Sequence, residues 1–222
     1  MAEPLAVMKG PHQSFLVRDV VALKPNHARV RQLRDSGVEP RDFGSRIWRS
    51  SYLLIDYLSR QSFRRSHHAL ELGCGWGLPS QFLQKQFGMR VTATDADDSV
   101  RQYLELLSEV NGTEVGFRQS SFEQLCNADL DSVDTLVGAD ICYRPDNGRD
   151  LLALVERFLA GSGRVRPGRS RPGRQVILAD SGRDSFFELA RQLGRRWPYQ
   201  LHSLSLRLPA PVAGHVLHLG SC

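Results

Sequence analysis

The 222-residue sequence is short of lysine, cysteine and long apolar runs. Its four cysteines, Cys74, Cys126, Cys142 and Cys222, are scattered and form no CxxC pair, which argues against a zinc ribbon and against a disulfide framework. Reduced, partly buried thiols are expected instead. No apolar run approaches the ~20 residues that cross a bilayer, so no membrane association is expected. The opening "MAEPLAVMKGPHQ" lacks the basic-then-apolar pattern of an export signal. A cytoplasmic location follows as the expectation, or a nuclear one in a eukaryote. Only Lys9, Lys24 and Lys85 are lysines, so arginine carries nearly all the positive charge behind a net +5 and a pI near 9.3. That balance permits an acidic partner without demanding one. His215 and His218 form an HxxH, but on a strand this odd spacing sends the rings to opposite faces, so no metal site is expected.

What is present is alternation. An apolar share of 41% with 8% aromatics suits one globular α/β domain with a real core. Residues 1–45 read as an N-terminal extension: "SFLVRDVVAL" as a strand or hairpin arm, "KPNHARVRQLRDSGVEP" as polar and partly irregular. In "SRIWRSSYLLIDYLSRQ", Ser50 or Ser51 is placed to cap a helix with Leu53, Leu54, Tyr57 and Leu58 on its apolar face. Residues 46–222 then run strand, helix, strand, helix. "HALELG", "MRVTATD", "EVGFRQSSF", "VDTLVGADICY" and "RQVILADS" read as strands. "PSQFLQKQFG", "DDSVRQYLELLSEVNG", "RDLLALVERFLA" and "DSFFELARQLGRRW" read as helices. "YQLHSLSLRLP" and "GHVLHLGS" alternate as a closing antiparallel pair does. The expectation is a Rossmann-like three-layer α/β sandwich: a mostly parallel sheet of seven strands ending in an antiparallel hairpin. Residues 160–175, "AGSGRVRPGRSRPGRQ", are low-complexity and rich in Arg, Gly and Pro; they read either as a solvated loop or as a basic arm for an acidic partner.

The chemistry concentrates in "ALELGCGWGLPSQFL", residues 69–83. Gly73, Gly75 and Gly77 fall in the turn between the first strand of the parallel sheet and its helix, where such folds bind nucleotides. A missing Cβ there admits close approach of a ligand and positive φ. The dinucleotide fingerprint GxGxxG needs glycine at position 78, which is Leu78. Glu71 precedes the turn; a carboxylate there repels a pyrophosphate and suits a ligand that carries a sulfonium and an ammonium, as S-adenosyl-L-methionine does. Asp95 ends the second strand of that sheet, 22 residues after Gly73 in the chain, where an acid can accept both ribose hydroxyls of a nucleoside. Its plain alternative is a helix cap, a role better suited to Asp97 and Asp98.

"RIWRSSYLLIDYL", "LELGCGWGLPSQFL", "VTATD" and "GADICY" together resemble the seven-β-strand, class I methyltransferases. More narrowly, they resemble the methyltransferase 16 family of small protein-lysine methyltransferases, over about residues 45–160. The resemblance implies that Trp48 packs near the cofactor, that Glu71, Gly73 and Gly75 face its methionine end, and that Gly77 belongs to the cofactor-binding turn. It likewise sets Asp95 at the ribose, Phe122 at the adenine, and Ala139 beside the cofactor. Phe122 stands where the family often has tryptophan. Asp140 and Tyr143 match the family's Asp-x-x-Tyr; Ile141 and Cys142 replace the prolines of Asn/Asp-Pro-Pro-Tyr, which argues against nucleic-acid base methylation. The resemblance thus implies an S-adenosylmethionine-dependent N-methyltransferase on a lysine or other nitrogen of a protein. In it Asp140 would accept a hydrogen bond from the incoming amine and Tyr143 would wall its channel. Alternatives left open are a small-molecule or RNA N-methyltransferase on this fold, and a binding module without catalysis.

Overall fold

The computed structural model describes residues 7–10, 12–40, 44–143, 145–161, 173–207 and 211–220. The Arg/Gly/Pro-rich stretch therefore lies largely outside the described residues, as does Cys222. In chain order the elements are β1 (Val7–Gly10), β2 (Ser14–Val17), β3 (Val20–Leu23), α1 (Ala28–Asp35) and α2 (Ser50–Leu58). Then come β4 (His68–Leu72), α3 (Leu78–Phe87), β5 (Arg90–Asp95), α4 (Arg101–Asn111), β6 (Gly116–Gln119) and α5 (Phe122–Cys126). The last are β7 (Thr135–Ala139), α6 (Pro145–Ala160), β8 (Gln175–Asp180), α7 (Asp184–Leu193), β9 (Tyr199–Leu206) and β10 (Val212–Gly220).

Seven strands form one sheet in the order β6-β5-β4-β7-β8-β10-β9. β4 pairs in parallel with β5 and with β7, and β10 runs antiparallel to both β8 and β9. The mostly parallel sheet with its terminal hairpin is thus present as the alternation implies. Strand order reverses at β4, and in such sheets the crevice for a ligand opens beyond the strand ends at that point.

Two cores sandwich the sheet. α2, α3 and α4 bury Leu54, Phe82 and Leu107 on one face, with Ala69 of β4 and Val137 of β7. α5, α6 and α7 bury Leu125, Phe158 and Phe186 on the other, with Leu70 and Leu72 of β4. The alternate residues of β4 therefore serve opposite layers, and none of its five is exposed. That is why the strand reads as a continuous apolar run broken only by Glu71.

The N-terminal segment makes a three-stranded antiparallel sheet, β1-β2-β3. Val20, Ala22 and Leu23 join the α2–α4 core. Asn111 clamps this sheet to the end of α4: its Oδ1 accepts the Val21 N–H at 2.7 Å and its Nδ2 donates to the Val21 carbonyl at 3.0 Å. The stretch read as polar and partly irregular contains helix α1, capped by His27, whose Nδ1 accepts the Arg29 N–H. Only Val30 of that helix is buried, so it carries almost no apolar stripe. Ser50 and Ser51 do not cap α2; they lie inside its first turn, and Arg49 occupies the cap position without a side-chain bond.

Candidate functional site

All ten residues singled out from the sequence line one cavity of about 840 Å³ at the carboxyl ends of β4, β5, β6 and β7. These are Trp48, Glu71, Gly73, Gly75, Gly77, Asp95, Phe122, Ala139, Asp140 and Tyr143. A volume of that order suits a cofactor-sized ligand.

The turn after β4 explains its glycines by two different causes. Gly73, Gly75 and Gly77 all hold positive φ, at 56°, 49° and 71°. A Cβ on Gly75 would meet nothing within 4 Å, so the backbone there faces open cavity and a ligand can lie against it. A Cβ on Gly77 would fall 2.1 Å from Leu104 Cδ1, so this glycine serves the packing of α3 on α4. Gly77 is also the left-handed residue that opens α3, with proline just inside the helix.

Asp95 braces the turn from the end of β5. Its Oδ2 accepts the Gly75 N–H at 3.0 Å, and its Oδ1 accepts the Asp97 N–H at 3.1 Å. Burial raises its pKa above the ordinary carboxylate value. Each oxygen keeps a second lone pair for a ligand hydroxyl. The capping role falls to Asp97, whose Oδ1 accepts the Ser99 N–H at 3.0 Å.

Glu71 turns toward the first turn of α3. Its Oε2 accepts the Ser80 N–H at 3.0 Å and also the Ser80 hydroxyl. Burial pushes its pKa up to about 8, which favours the protonated form near neutral pH. A cation placed in the cavity favours the ionised form and opposes that shift.

At the other end, β7 stops one residue before Asp140, which takes a left-handed φ of 59°. For a residue with a Cβ this conformation costs about 1–2 kcal/mol, and it ends the run "VDTLVGADICY" sooner than its apolar pattern suggests. Surrounding contacts hold it. The Asp140 N–H donates to the Ala179 carbonyl at 2.9 Å. Its Oδ1 accepts from Arg183 Nη1 at 2.6 Å, and its Oδ2 from the Ser50 N–H at 3.3 Å. Tyr143 stands on the same wall, three residues on.

Other contributors are not among those ten. Arg183, just after β8, lines the cavity and pairs with both Asp140 and Asp180. Ser80 occupies Glu71. The described residues ahead of α2 add Gly37, Glu39, Gly44, Arg46 and Ile47 to the lining, so chain that precedes α2 borders part of the cavity. It is pinned there by Trp76, whose Nε1 donates to the Gly44 carbonyl at 2.8 Å. Tyr103 stacks on Trp76 at 4.9 Å and donates its hydroxyl to the Val38 carbonyl at 2.7 Å. The Arg46 guanidinium lies 4.2 Å over the Trp48 ring. A local turn signal at "DSGR" was available for Arg183; its partner 43 residues away was not.

His215 and His218 indeed diverge. His215 sits against Phe187 at 4.9 Å, whereas His218 Nδ1 meets the Tyr57 hydroxyl at 2.8 Å. Among the described residues, no group of three or more His, Cys, Asp or Glu is arranged to hold a metal ion. None of the described helices is long and apolar enough to cross a membrane.

Comparison with known proteins agrees with this geometry. Residues 69–163 match the family described as a methyltransferase domain. No curated protein matches the chain by sequence. Solved structures share the fold at low identity. An rRNA methylase from Streptococcus thermophilus is 15% identical with a TM-score of 0.56, over 79% of this chain and 98% of its own. The tRNA (uracil-54, C5)-methyltransferase of Pyrococcus abyssi, solved with S-adenosyl-L-homocysteine, is 16% identical with a TM-score of 0.56. That match covers 99% of this chain but only 45% of the other. The mitomycin 7-O-methyltransferase MmcR is 15% identical with a TM-score of 0.51, over 78% of this chain and 54% of its own. The chain has the Rossmann-like fold of these methyltransferases, residues 69–163 match the methyltransferase-domain family, and S-adenosyl-L-methionine is the cofactor these findings indicate.

Proposed function

We propose that the protein is an S-adenosylmethionine-dependent N-methyltransferase whose acceptor is a nitrogen side chain of a protein, lysine first. The observation that carries this reading is the charge of the cavity. Besides Glu71, which burial disposes to protonation, six acidic residues but only two arginines line it, in a chain of net charge +5. Such a lining attracts a sulfonium nucleoside and a basic acceptor and disfavours a pyrophosphate.

When bound, S-adenosylmethionine supplies a methyl group already activated on a positive sulfur. Gly75 would lie against it, Asp95 would take the ribose hydroxyls, Phe122 would stack beside the base, and Trp48 and Ala139 would pack close by. The remaining task of the protein is to align an acceptor and strip it of water. A lysine with an ordinary pKa of about 10.4 must first lose a proton, which burial beside a cation promotes. Asp140 would then receive the hydrogen bond of the incoming amine and set its lone pair on the methyl carbon. The proton that the lysine sheds beforehand would leave to solvent. Tyr143 would border the channel.

A second reading, a small-molecule amine as acceptor, is favoured by Gly37, Glu39, Gly44, Arg46 and Ile47, which add a further border to the cavity ahead of α2. Incubation with methyl-labelled S-adenosylmethionine and cell extract tests both. Label in protease-sensitive material supports the protein reading, and label in small solutes the second. Label removed by nuclease contradicts both.

A further inference from the structure

The acceptor end contains an ion-pair relay that neither the motif nor the fold calls for. Arg183 Nη1 lies 2.6 Å from Asp140 Oδ1 and 2.7 Å from Asp180 Oδ2. Asp180 is fully buried at the end of β8, and its Oδ1 accepts the N–H groups of Gly182 and Arg183 at 2.8 and 2.9 Å. The turn thus binds the carboxylate that in turn binds the guanidinium. Asp140 is at the other end of the relay, in a left-handed conformation that a non-glycine residue resists. Among the described residues its Oδ2 is held only by the Ser50 N–H at 3.3 Å, whereas the Oδ1 contact to Arg183 is short and charge-assisted. Each of the two oxygens so engaged retains a lone pair, and the side chain lines the cavity.

We propose that Arg183 is a positioning residue: anchored by Asp180, it fixes the Asp140 carboxylate in the orientation that receives the acceptor nitrogen. This rests on the N-methyltransferase reading above. A guanidinium is suited to the role because its planar fork is rigid and always charged, whereas a lysine ammonium is a flexible point donor.

The test needs no knowledge of the acceptor. Sinefungin carries an amine where the transferable methyl sits in S-adenosylmethionine, so it places an ammonium at the acceptor end; S-adenosylhomocysteine places nothing there. The quantity to measure by calorimetry is the affinity ratio of sinefungin to S-adenosylhomocysteine. Wild-type protein should favour sinefungin. Arg183→Met should reduce that preference about tenfold, the loss of a charge-assisted hydrogen bond, with S-adenosylhomocysteine affinity within twofold. Arg183→Lys should recover part of it. Should Arg183→Met fail to fold, Asp180→Asn serves, because its amide oxygen still accepts the turn's N–H groups; an intermediate loss is expected. Simple charge counting predicts the opposite sign, since removing a cation beside two carboxylates should tighten sinefungin. An unchanged or increased preference in Arg183→Met, or in Asp180→Asn where that variant stands in, overturns the positioning role. Failure of the wild type to bind either ligand would instead overturn the methyltransferase reading.

Discussion

Alanine at Gly75 and alanine at Gly77 should damage the protein in different ways, although both glycines lie in one turn with positive φ. At Gly75 the added methyl meets no atom within 4 Å. The cost to folding is then only the left-handed conformation, about 1–2 kcal/mol. For a domain of this size that lowers Tm by roughly 2–8 °C. The methyl, however, projects into the space where the nucleoside would lie, so S-adenosylhomocysteine affinity should fall at least tenfold. At Gly77 the same conformational cost is joined by a 2.1 Å overlap with Leu104 Cδ1. Overpacking adds about 1–3 kcal/mol, for a total near 2–5 kcal/mol and a correspondingly larger drop in Tm. Scanning fluorimetry with and without S-adenosylhomocysteine, followed by calorimetry, separates the two. Gly75→Ala should keep most of its stability and lose the ligand-induced rise in Tm. A Gly75→Ala protein that binds S-adenosylhomocysteine as tightly as wild type would refute the claim that the open side of this turn is the cofactor seat.

Other outcomes follow from the same geometry. Burial holds Glu71 protonated to about pH 8 in the folded protein, while the unfolded chain releases that proton near 4.5. Stability of the ligand-free protein should therefore fall as pH rises through that window, and Glu71→Gln should flatten the slope while weakening S-adenosylmethionine binding. His218 has the opposite sign. Burial lowers its pKa to about 4, so the unfolded chain takes up a proton near 6.5 that the fold rejects. Stability should drop as pH falls from about 6.5 toward 4, and His218→Gln should reduce that drop in a pH series of thermal melts. Trp76→Phe keeps a ring to stack on Tyr103 but removes the bond to the Gly44 carbonyl. Loosening the cavity border at Gly44 should weaken S-adenosylhomocysteine about threefold to tenfold, the worth of one hydrogen bond, with little change in Tm. Asp140→Ala should suppress labelling of the acceptor while leaving S-adenosylhomocysteine affinity nearly intact.

The parts of this fold that were legible in the sequence are those decided by neighbouring residues. Apolar runs in β4 and β8 and glycines closing α3 and α4 state their own structure. Gly77 before Leu78 and Pro79 marks a helix start as plainly as any cap. Other features depend on partners far along the chain. Helix α1 buries only Val30, so periodicity had little to report, and its start rests on His27 rather than on a preferred capping residue. Ser50 looks like a cap, yet its N–H is spent on Asp140, 90 residues later. The early end of β7 comes from the left-handed Asp140, a conformation held by Ala179 and Arg183 from the neighbouring strand and turn. For the same reason Glu71, Gly73, Gly75 and Asp95 could be picked out in advance as residues of one cavity, while Arg183, Gly37, Glu39 and Gly44 could not. Nothing within a few residues of Arg183 says that it will face Asp140.

The central claim is that a carboxylate-lined cavity on this glycine turn receives a sulfonium nucleoside. Titration calorimetry of the purified chain with S-adenosylmethionine, S-adenosylhomocysteine and NAD tests it most directly. The account predicts one site that binds both sulfur nucleosides, the sulfonium form more tightly, and no measurable heat from NAD. Binding of NAD with indifference to S-adenosylmethionine and S-adenosylhomocysteine would contradict it.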